Sequence, residues 1–294
     1  MTDGIGPMRT GQELYSANLR FLREKETALR ALEDAQLEEA VREAGYRLSS
    51  PPTPEEAADL FTSLGGGDFV SFCSAVSRVY LGEKNGRRGE KSPDAEQDPN
   101  EAGAGEPVRI AYLQNAFSDR AYRIFSARLE GSGKTAAVYF PGFREVAEEV
   151  YSGRCSHAIL PTASSEDGQI LSFRRLIGRY DLKITAAADV SMDDERTMRF
   201  VLLRRRLPPP PWTASYMDIS AVPTDELSAA GLLSAFERLG AVLISANSHP
   251  SGPEEDRNVL DLTFDLRAAD PFALYLFLEG SHARYETVGS YELY

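Results

Sequence analysis

Between Gly11 and Val41 the large apolar residues Leu14, Phe21, Leu22, Leu29, Leu32, Leu37 and Val41 recur at helical spacing. This predicts one long amphipathic helix, with Lys25 on its inward stripe and Gly45 closing it. Thr53-Pro54-Glu55-Glu56 then reads as a helix start: Thr53 caps, Pro54 takes the first helical position, and Glu56 reaches back to close a capping box. That helix stops at Gly65-Gly66-Gly67. A third begins near Asp68 and carries Phe69, Phe72, Cys73, Val76, Val79 and Tyr80 inward. Residues 11–81 are therefore expected to be a helical segment.

Residues 82–107 hold no large apolar residue and are dominated by Gly, Pro, Asp and Glu, the composition of a disordered linker. From 108 the pattern alternates. Strands are expected at 108–113, 136–140, 156–160, 182–188 and 198–204. Helices are expected at 118–129, capped by Ser118, at 143–152 and at 168–180. Alternating strands and helices imply crossover units and an α/β sheet over 108–206. Pro208 to Pro211 reads as a rigid spacer. Residues 212–294 then follow the order βαββαβ, which is the ferredoxin-like plan.

Charge changes the picture little. Thirty-two Lys and Arg against 45 Asp and Glu give a net charge of −13, so neither nucleic acid phosphates nor an anionic membrane surface is an expected partner. No apolar run approaches the ~20 residues that span a bilayer. Residues 1–10 lack the basic start and apolar stretch of an export signal, and a cytoplasmic protein is expected. Two cysteines, Cys73 and Cys155, and three histidines, His157, His249 and His282, supply neither a disulfide framework nor a zinc cluster of familiar spacing. No metal or other cofactor is expected.

Several short motifs read better as structure than as chemistry. Gly131-Ser132-Gly133-Lys134-Thr135 has Arg128 where a phosphate loop needs its first glycine, and it runs from helix to strand, the wrong order. Asp193-Asp194-Glu195 reads as a solvated turn, and Arg204-Arg205-Arg206 as a strand exit. Cys155 and His157 fall on opposite sides of an extended segment, which argues against a Cys–His nucleophile pair. His249-Pro250 ends a strand, where the histidine either decorates a loop or lines an interface.

The middle segment resembles the prephenate dehydratases. Ile110-Ala111-Tyr112-Leu113 with Ala116-Phe117-Ser118 is similar to that family's first strand and helix-opening turn. Cys155 to Pro161 followed by Ser164-Ser165-Glu166-Asp167-Gly168-Gln169-Ile170 is similar to its proline-ended strand and following turn. Thr197-Met198-Arg199-Phe200-Val201 resembles its Thr-Arg-Phe strand. Residues 212–294 resemble the ACT domain that follows in the family. Ala230-Gly231-Leu232-Leu233 sits at its Gly-Ala-Leu turn, Asn247-Ser248-His249-Pro250 at its Glu-Ser-Arg-Pro motif, and Val288-Gly289-Ser290-Tyr291 at its closing strand. With helices in front, the order of parts resembles the bifunctional chorismate mutase–prephenate dehydratase proteins.

The resemblance implies a dehydratase site at Ser164, Ser165, Thr197, Arg199 and Phe200, and a ligand site at Gly231, Leu232, Asn247 and His249. It also implies a homodimer, formed through the ACT-like domain and the front helices, and an aromatic amino acid or prephenate-like ligand. The departures are specific. The family's catalytic threonine falls on Met198, whose thioether cannot donate a proton to a departing hydroxide. Thr197 falls on the opposite face of the strand. Ala163 and Ser164 replace the first two residues of the Glu-Asn-Ser turn, and Asn247 and His249 replace the family's glutamate and arginine. Only Ser191–Arg196 separates two strands between which the family builds a second lobe, whereas a single βαβ unit takes roughly thirty residues. The expectation is a single lobe, with one wall of a cleft and nothing closing over it.

In front, Arg20, Arg23, Lys25, Arg30, Arg42 and Arg47 are the basic residues available to a chorismate mutase site. Two classes of function follow. One is a regulatory or ligand-sensing relative without dehydratase activity. The other is an active enzyme, either a chorismate mutase or a prephenate dehydratase with a remodelled site.

Overall fold

The computed structural model describes residues 11–44, 51–81, 107–129, 134–192, 196–207, 214–250, 258–281 and 283–294. Residues 82–106 of the expected linker, Gly131 to Gly133, Asp193 to Glu195, Pro208 to Pro211, Arg47 and His282 lie outside them. The chain divides into two compact units, 1–84 and 85–294.

The first unit contains α1 (Gly11–Ala44), α2 (Pro54–Ser63) and α3 (Phe69–Leu81). The expected capping box opens α2: Thr53 Oγ1 accepts from Glu56 N and Thr53 N donates to Glu56. Val41 of α1 is buried, and Arg78 of α3 pairs with Glu38 of α1. The anticipated apolar stripe is not covered along its length, because Phe21, Leu22, Leu29 and Leu32 are exposed.

In the second unit the elements are β1 (Val108–Leu113), α4 (Ala116–Leu129), β2 (Thr135–Phe140), α5 (Phe143–Tyr151), β3 (His157–Ser164), β4 (Gly168–Gln169), α6 (Leu171–Arg179), β5 (Lys183–Ser191), β6 (Thr197–Arg204), β7 (Tyr216–Val222), α7 (Ala229–Arg238), β8 (Val242–Pro250), β9 (Asn258–Asp265), α8 (Pro271–Gly280) and β10 (Arg284–Leu293). One sheet runs through all of it, in the order β2-β1-β3-β6-β5-β10-β7-β9-β8, with β4 paired to β3. β5 pairs antiparallel with the next strand along the chain, β6. The last four strands have the order expected of a ferredoxin-like βαββαβ unit.

The seam between the α/β half and the ferredoxin-like half is a parallel pairing of β10 with β5. Gly289 stands opposite Ile184 there, and a Cβ on it would lie 2.7 Å from the Ile184 Cβ, so the close approach of these strands requires glycine. Beyond the pairing, Asp189 N donates to Tyr294 O and Tyr294 N to Ala187 O. Lys183 bridges Asp181 and Glu286 across the same seam. Val288 and Tyr291 of β10 join the apolar cluster formed by Val146, Val150, Ile177, Leu160 and Leu203 in the α/β half. The opposite face of that half packs Phe125 of α4 against Ile110, Ile159 and Phe200. In the ferredoxin-like half, Phe236 of α7 stacks on Phe264 of β9 with ring centroids 4.3 Å apart.

Two local expectations are corrected. Ser118 is buried in the first turn of α4, and Asn115 caps that helix by accepting from Ser118 N. Helix α6 starts at Leu171, because Gly168 and Gln169 pair back onto β3. Gly168 adopts a φ of 67°, a left-handed turn that glycine makes without strain. Pro161 has no N–H for a ladder; it lies where the register against β6 shifts, just before the turn that carries Ser164 and Ser165.

Candidate functional site

A cavity of 390 Å³ lies on one face of the continuous sheet. Its first wall comes from the α/β half: Thr162 to Ser165 on β3, Gly168 to Ile170, Arg174 of α6, and Thr197, Arg199 and Val201 of β6. Its second wall comes from the ferredoxin-like half: Asp218 of β7, Ile244 and Ser245 of β8, Thr263 of β9 and Tyr291 of β10. The cavity is therefore two-sided. This corrects the expectation that one lobe leaves one open wall: the curled sheet brings its own far end over the face.

Alternation explains which side chains reach this space. On β6, Thr197, Arg199 and Val201 face it, while Met198 and Phe200 pack into the cluster around α4. On β9 the residues Asp261, Thr263 and Asp265 alternate with Leu262 and Phe264, so a polar face is turned away from α7 and α8. Arg174 of α6 reaches that polar face. It pairs with Asp218 Oδ2 at 2.5 Å, and its Nε lies 3.7 Å from Asp261 Oδ2. Burial alone would lower the affinity of Arg174 for its proton, but Asp218 and Asp261 outweigh it and hold the guanidinium above its ordinary value. Its Nη2 is buried without a hydrogen-bond partner. Tyr291 donates to Asp218 Oδ1 at 3.1 Å. Burial first, and Asp218 second, push the Tyr291 phenol well up, so it is a fixed donor.

The second charged pair is Arg199 with Asp189 of β5. Nε and Nη2 of Arg199 donate to the two carboxylate oxygens at 2.8 Å each, a side-on fork. That bonding, only partly offset by burial, raises the Arg199 guanidinium further. Both side chains are about one-third exposed, at 33% and 38%, and both line the cavity, so the pair is reachable. Around it, Thr197 Oγ1 and Ser191 Oγ lie 2.7 Å apart, and Ser165 Oγ accepts from Thr197 N. Ser164 Oγ accepts from Asp167 N, which fixes the turn.

The structure thus brings together four of the five expected dehydratase-site residues: Ser164, Ser165, Thr197 and Arg199. Phe200 is not among them; it is 1% exposed in the core on the other face. Of the expected ligand residues, Asn247 reaches the rim of the cavity, where it donates to Gln169 Oε1 at 2.5 Å. His249 Nε2 lies 3.3 Å from Asp261 Oδ2, behind Arg174. Gly231 and Leu232 belong to α7 on the opposite face, where Gly231 N donates to the Ser228 cap.

Sequence reading missed Arg174, Asp189, Asp218 and Tyr291. A signal existed for the first: position 174 lies three residues before Ile177, on the inward stripe of its helix. In the front unit, Arg20, Arg30 and Arg42 are exposed and each pairs with a glutamate of its own helix. Arg23 and Lys25 are exposed as well.

Among the described residues no group of three or more His, Cys, Asp or Glu side chains is placed to hold a metal ion, and no helix is long and apolar enough to cross a membrane. Cys73 and Cys155 are buried and are not joined in a disulfide.

No protein-family model matches the chain, and no curated protein matches it. Solved structures do. Prephenate dehydratase from Streptococcus mutans superposes with a TM-score of 0.51 at 19% identity, over 64% of this chain and 99% of its own. A quorum-quenching acylase, GqqA, gives a TM-score of 0.47 at 20% identity, over 63% and 94%. Prephenate dehydratase from Arthrobacter aurescens, solved with L-Phe, gives 0.47 at 13% identity, over 63% and 90%. The likeness to the Streptococcus mutans enzyme establishes that this chain has a prephenate dehydratase-like fold.

Proposed function

We propose that the protein is a relative of the prephenate dehydratases that binds a small ligand without dehydrating it, and serves as a ligand-sensing module. One observation carries this reading. Met198, which stands where the resemblance puts the catalytic threonine, packs into the α4 cluster on the face away from the cavity. A cavity is present on the other face of the strand, and no proton donor at position 198 projects into it. A thioether in that position could not protonate a leaving hydroxide in any case.

The rest of the reading concerns assembly and compartment. The exposed Phe21, Leu22, Leu29 and Leu32 of α1, and Val242 and Leu243 at the edge strand β8, are apolar surfaces suited to a second copy of the chain. Two buried cysteines outside any disulfide suit a reducing cytoplasm.

A second reading has its own support. Thr197, Ser165 and Arg199 gather around one cavity, so a dehydratase that uses Thr197 in place of the displaced threonine has a site to work in. Incubation of the full chain with prephenate separates the two. The first reading expects prephenate to be recovered without phenylpyruvate. Phenylpyruvate formation that is lost in Thr197→Ala establishes the second. The same protein is expected to leave chorismate unchanged, because Arg20, Arg30 and Arg42 are exposed and each is engaged with a glutamate of its own helix.

A further inference from the structure

The two ends of β6 carry different chemistry. Thr197 at its start lines the cavity, and Arg204 ends it at the opposite edge of the sheet. There β2, β1, β3 and β6 lie side by side. The first three begin at this edge, and the antiparallel β6 ends at it. Each brings a cation: Lys134 just before β2, Arg109 in β1, Arg154 before β3, and Arg204, Arg205 and Arg206 at the exit of β6. Backbone bonds hold these segments together. Val108 N donates to Lys134 O at 2.8 Å, and Ser156 donates both its N and its Oγ to Arg109 O. A Cβ on Gly153 would lie 3.6 Å from Arg205 Nη1, so that guanidinium lies against the turn that holds Arg154.

This edge is positive in a chain whose net charge is −13. Lys134, Arg109, Arg154, Arg205 and Arg206 are exposed, and Arg204 is half-buried. Among the described residues, Glu149 pairs with Arg154 at 2.6 Å, and Glu148 adds a second negative charge near it. Next along the edge Lys183 is matched by Asp181 and Glu286, so the surplus ends there. Like charges gathered on neighbouring strands, ~4.8 Å apart, repel one another, and an anion laid across them relieves that repulsion. The chain supplies one. Asp94, Glu96, Asp98, Glu101 and Glu106 place five acids, and no base, between residues 94 and 106. Glu106 stands only a few positions before Arg109. Fully extended, that stretch reaches about 43 Å, whereas the edge from β2 to β6 is ~14 Å wide.

We infer that the basic edge of β2, β1, β3 and β6 is a docking surface for an acidic peptide, and that its occupant is the chain's own segment 94–106. Because the segment is joined to β1, its effective concentration at the edge is of order millimolar. An affinity of about 0.1 mM then keeps it in place and weakens a competing polyanion about tenfold. The chain's own charge thereby competes with external acidic peptides for this edge.

Binding of fluorescently labelled decaglutamate to the full chain, read by anisotropy at about 50 mM salt where screening is weak, tests this. The variant Asp94→Asn, Glu96→Gln, Asp98→Asn, Glu101→Gln, Glu106→Gln leaves residues 107–294 unchanged. It is expected to bind the peptide roughly tenfold more tightly than the natural chain, and added salt should erase the gain. Adding Arg109→Gln and Arg205→Gln, both exposed, should abolish the gain as well. If that combination fails to fold, Arg205→Gln with Arg206→Gln, beyond the last residue of β6, takes its place. A control that removes five charges from α1, at Glu24, Glu26, Glu33, Glu39 and Glu43, each to Gln, should show no such gain. The inference is overturned if the natural chain and the neutralised variant bind alike, whether tightly, which would leave the edge to an external acidic partner, or not at all. It is overturned equally if the gain survives loss of the edge arginines, or if the α1 control shows the same gain.

Discussion

Gln169 donates its Nε2 to Ser245 Oγ at 2.8 Å, joining residues 76 positions apart in sequence and on strands β4 and β8, far apart in the sheet order. Asn247 answers by donating to the Gln169 carbonyl. The sheet is thus curled until its β8 end meets the β3–β4 hairpin over the cavity, and the Gln169 amide ties that rim. Gln169→Ala is expected to cost no more than about 1 kcal/mol of stability, because both bonds are exposed and exchange readily with water. Its effect should fall on the ligand, which should dissociate several-fold faster. Stopped-flow binding alongside thermal melting checks both halves of this expectation.

Arg174 is the buried connection between the α/β half and the ferredoxin-like sheet. Arg174→Ala leaves Asp218 and Asp261 without their counter-ion and should cost about 3–5 kcal/mol in urea unfolding. Adding Asp218→Asn should recover part of that loss, since it removes one of the stranded charges. A loss under 1 kcal/mol for the single variant would mean that water enters this region freely.

His157 gives a pH signature. Burial first, and the nearby Arg204 second, push its imidazole down from 6.5 to about 4. The folded chain therefore binds fewer protons at this site than the unfolded chain between those values. Its stability contribution is complete above about pH 6.5, declines as pH falls toward about 4, and is constant below that. The loss across this window should be about 3 kcal/mol. Unfolding measured from pH 7 to pH 4 should show a shallower decline in His157→Leu than in the natural chain.

Gly289 tests the seam. In Gly289→Ala the added Cβ meets the Ile184 Cβ, an atom fixed to the backbone that no rotamer change can move. The substitution should destabilise the chain by about 1–3 kcal/mol. Ile184→Ala should not rescue it, because that variant keeps the obstructing atom. Rescue would show that β5 and β10 adjust easily.

Much of this fold is legible in the sequence. Alternating apolar positions locate the strands, the Thr53-Pro54-Glu56 signal marks a helix start, and the βαββαβ order of the last third gives its plan. The cavity is less so. Ser164, Ser165, Thr197 and Arg199 could be picked out because they sit on motifs. Asp218 could not, since its pairing with Arg174 spans 44 residues and depends on how far the sheet curls. A count of residues between two strands predicts a missing lobe, but it carries no information about which surface replaces the missing wall. The alternation of Asp261, Thr263 and Asp265 against Leu262 and Phe264 was a clue that one face of the second half is polar yet buried. Phe200 was picked out through its motif, and strand alternation puts it on the face opposite Arg199.

The most direct test is incubation of the full chain with prephenate, followed by assay for phenylpyruvate. Prephenate is expected to be recovered with no phenylpyruvate formed. Phenylpyruvate formation that is lost in Thr197→Ala would contradict the non-catalytic reading.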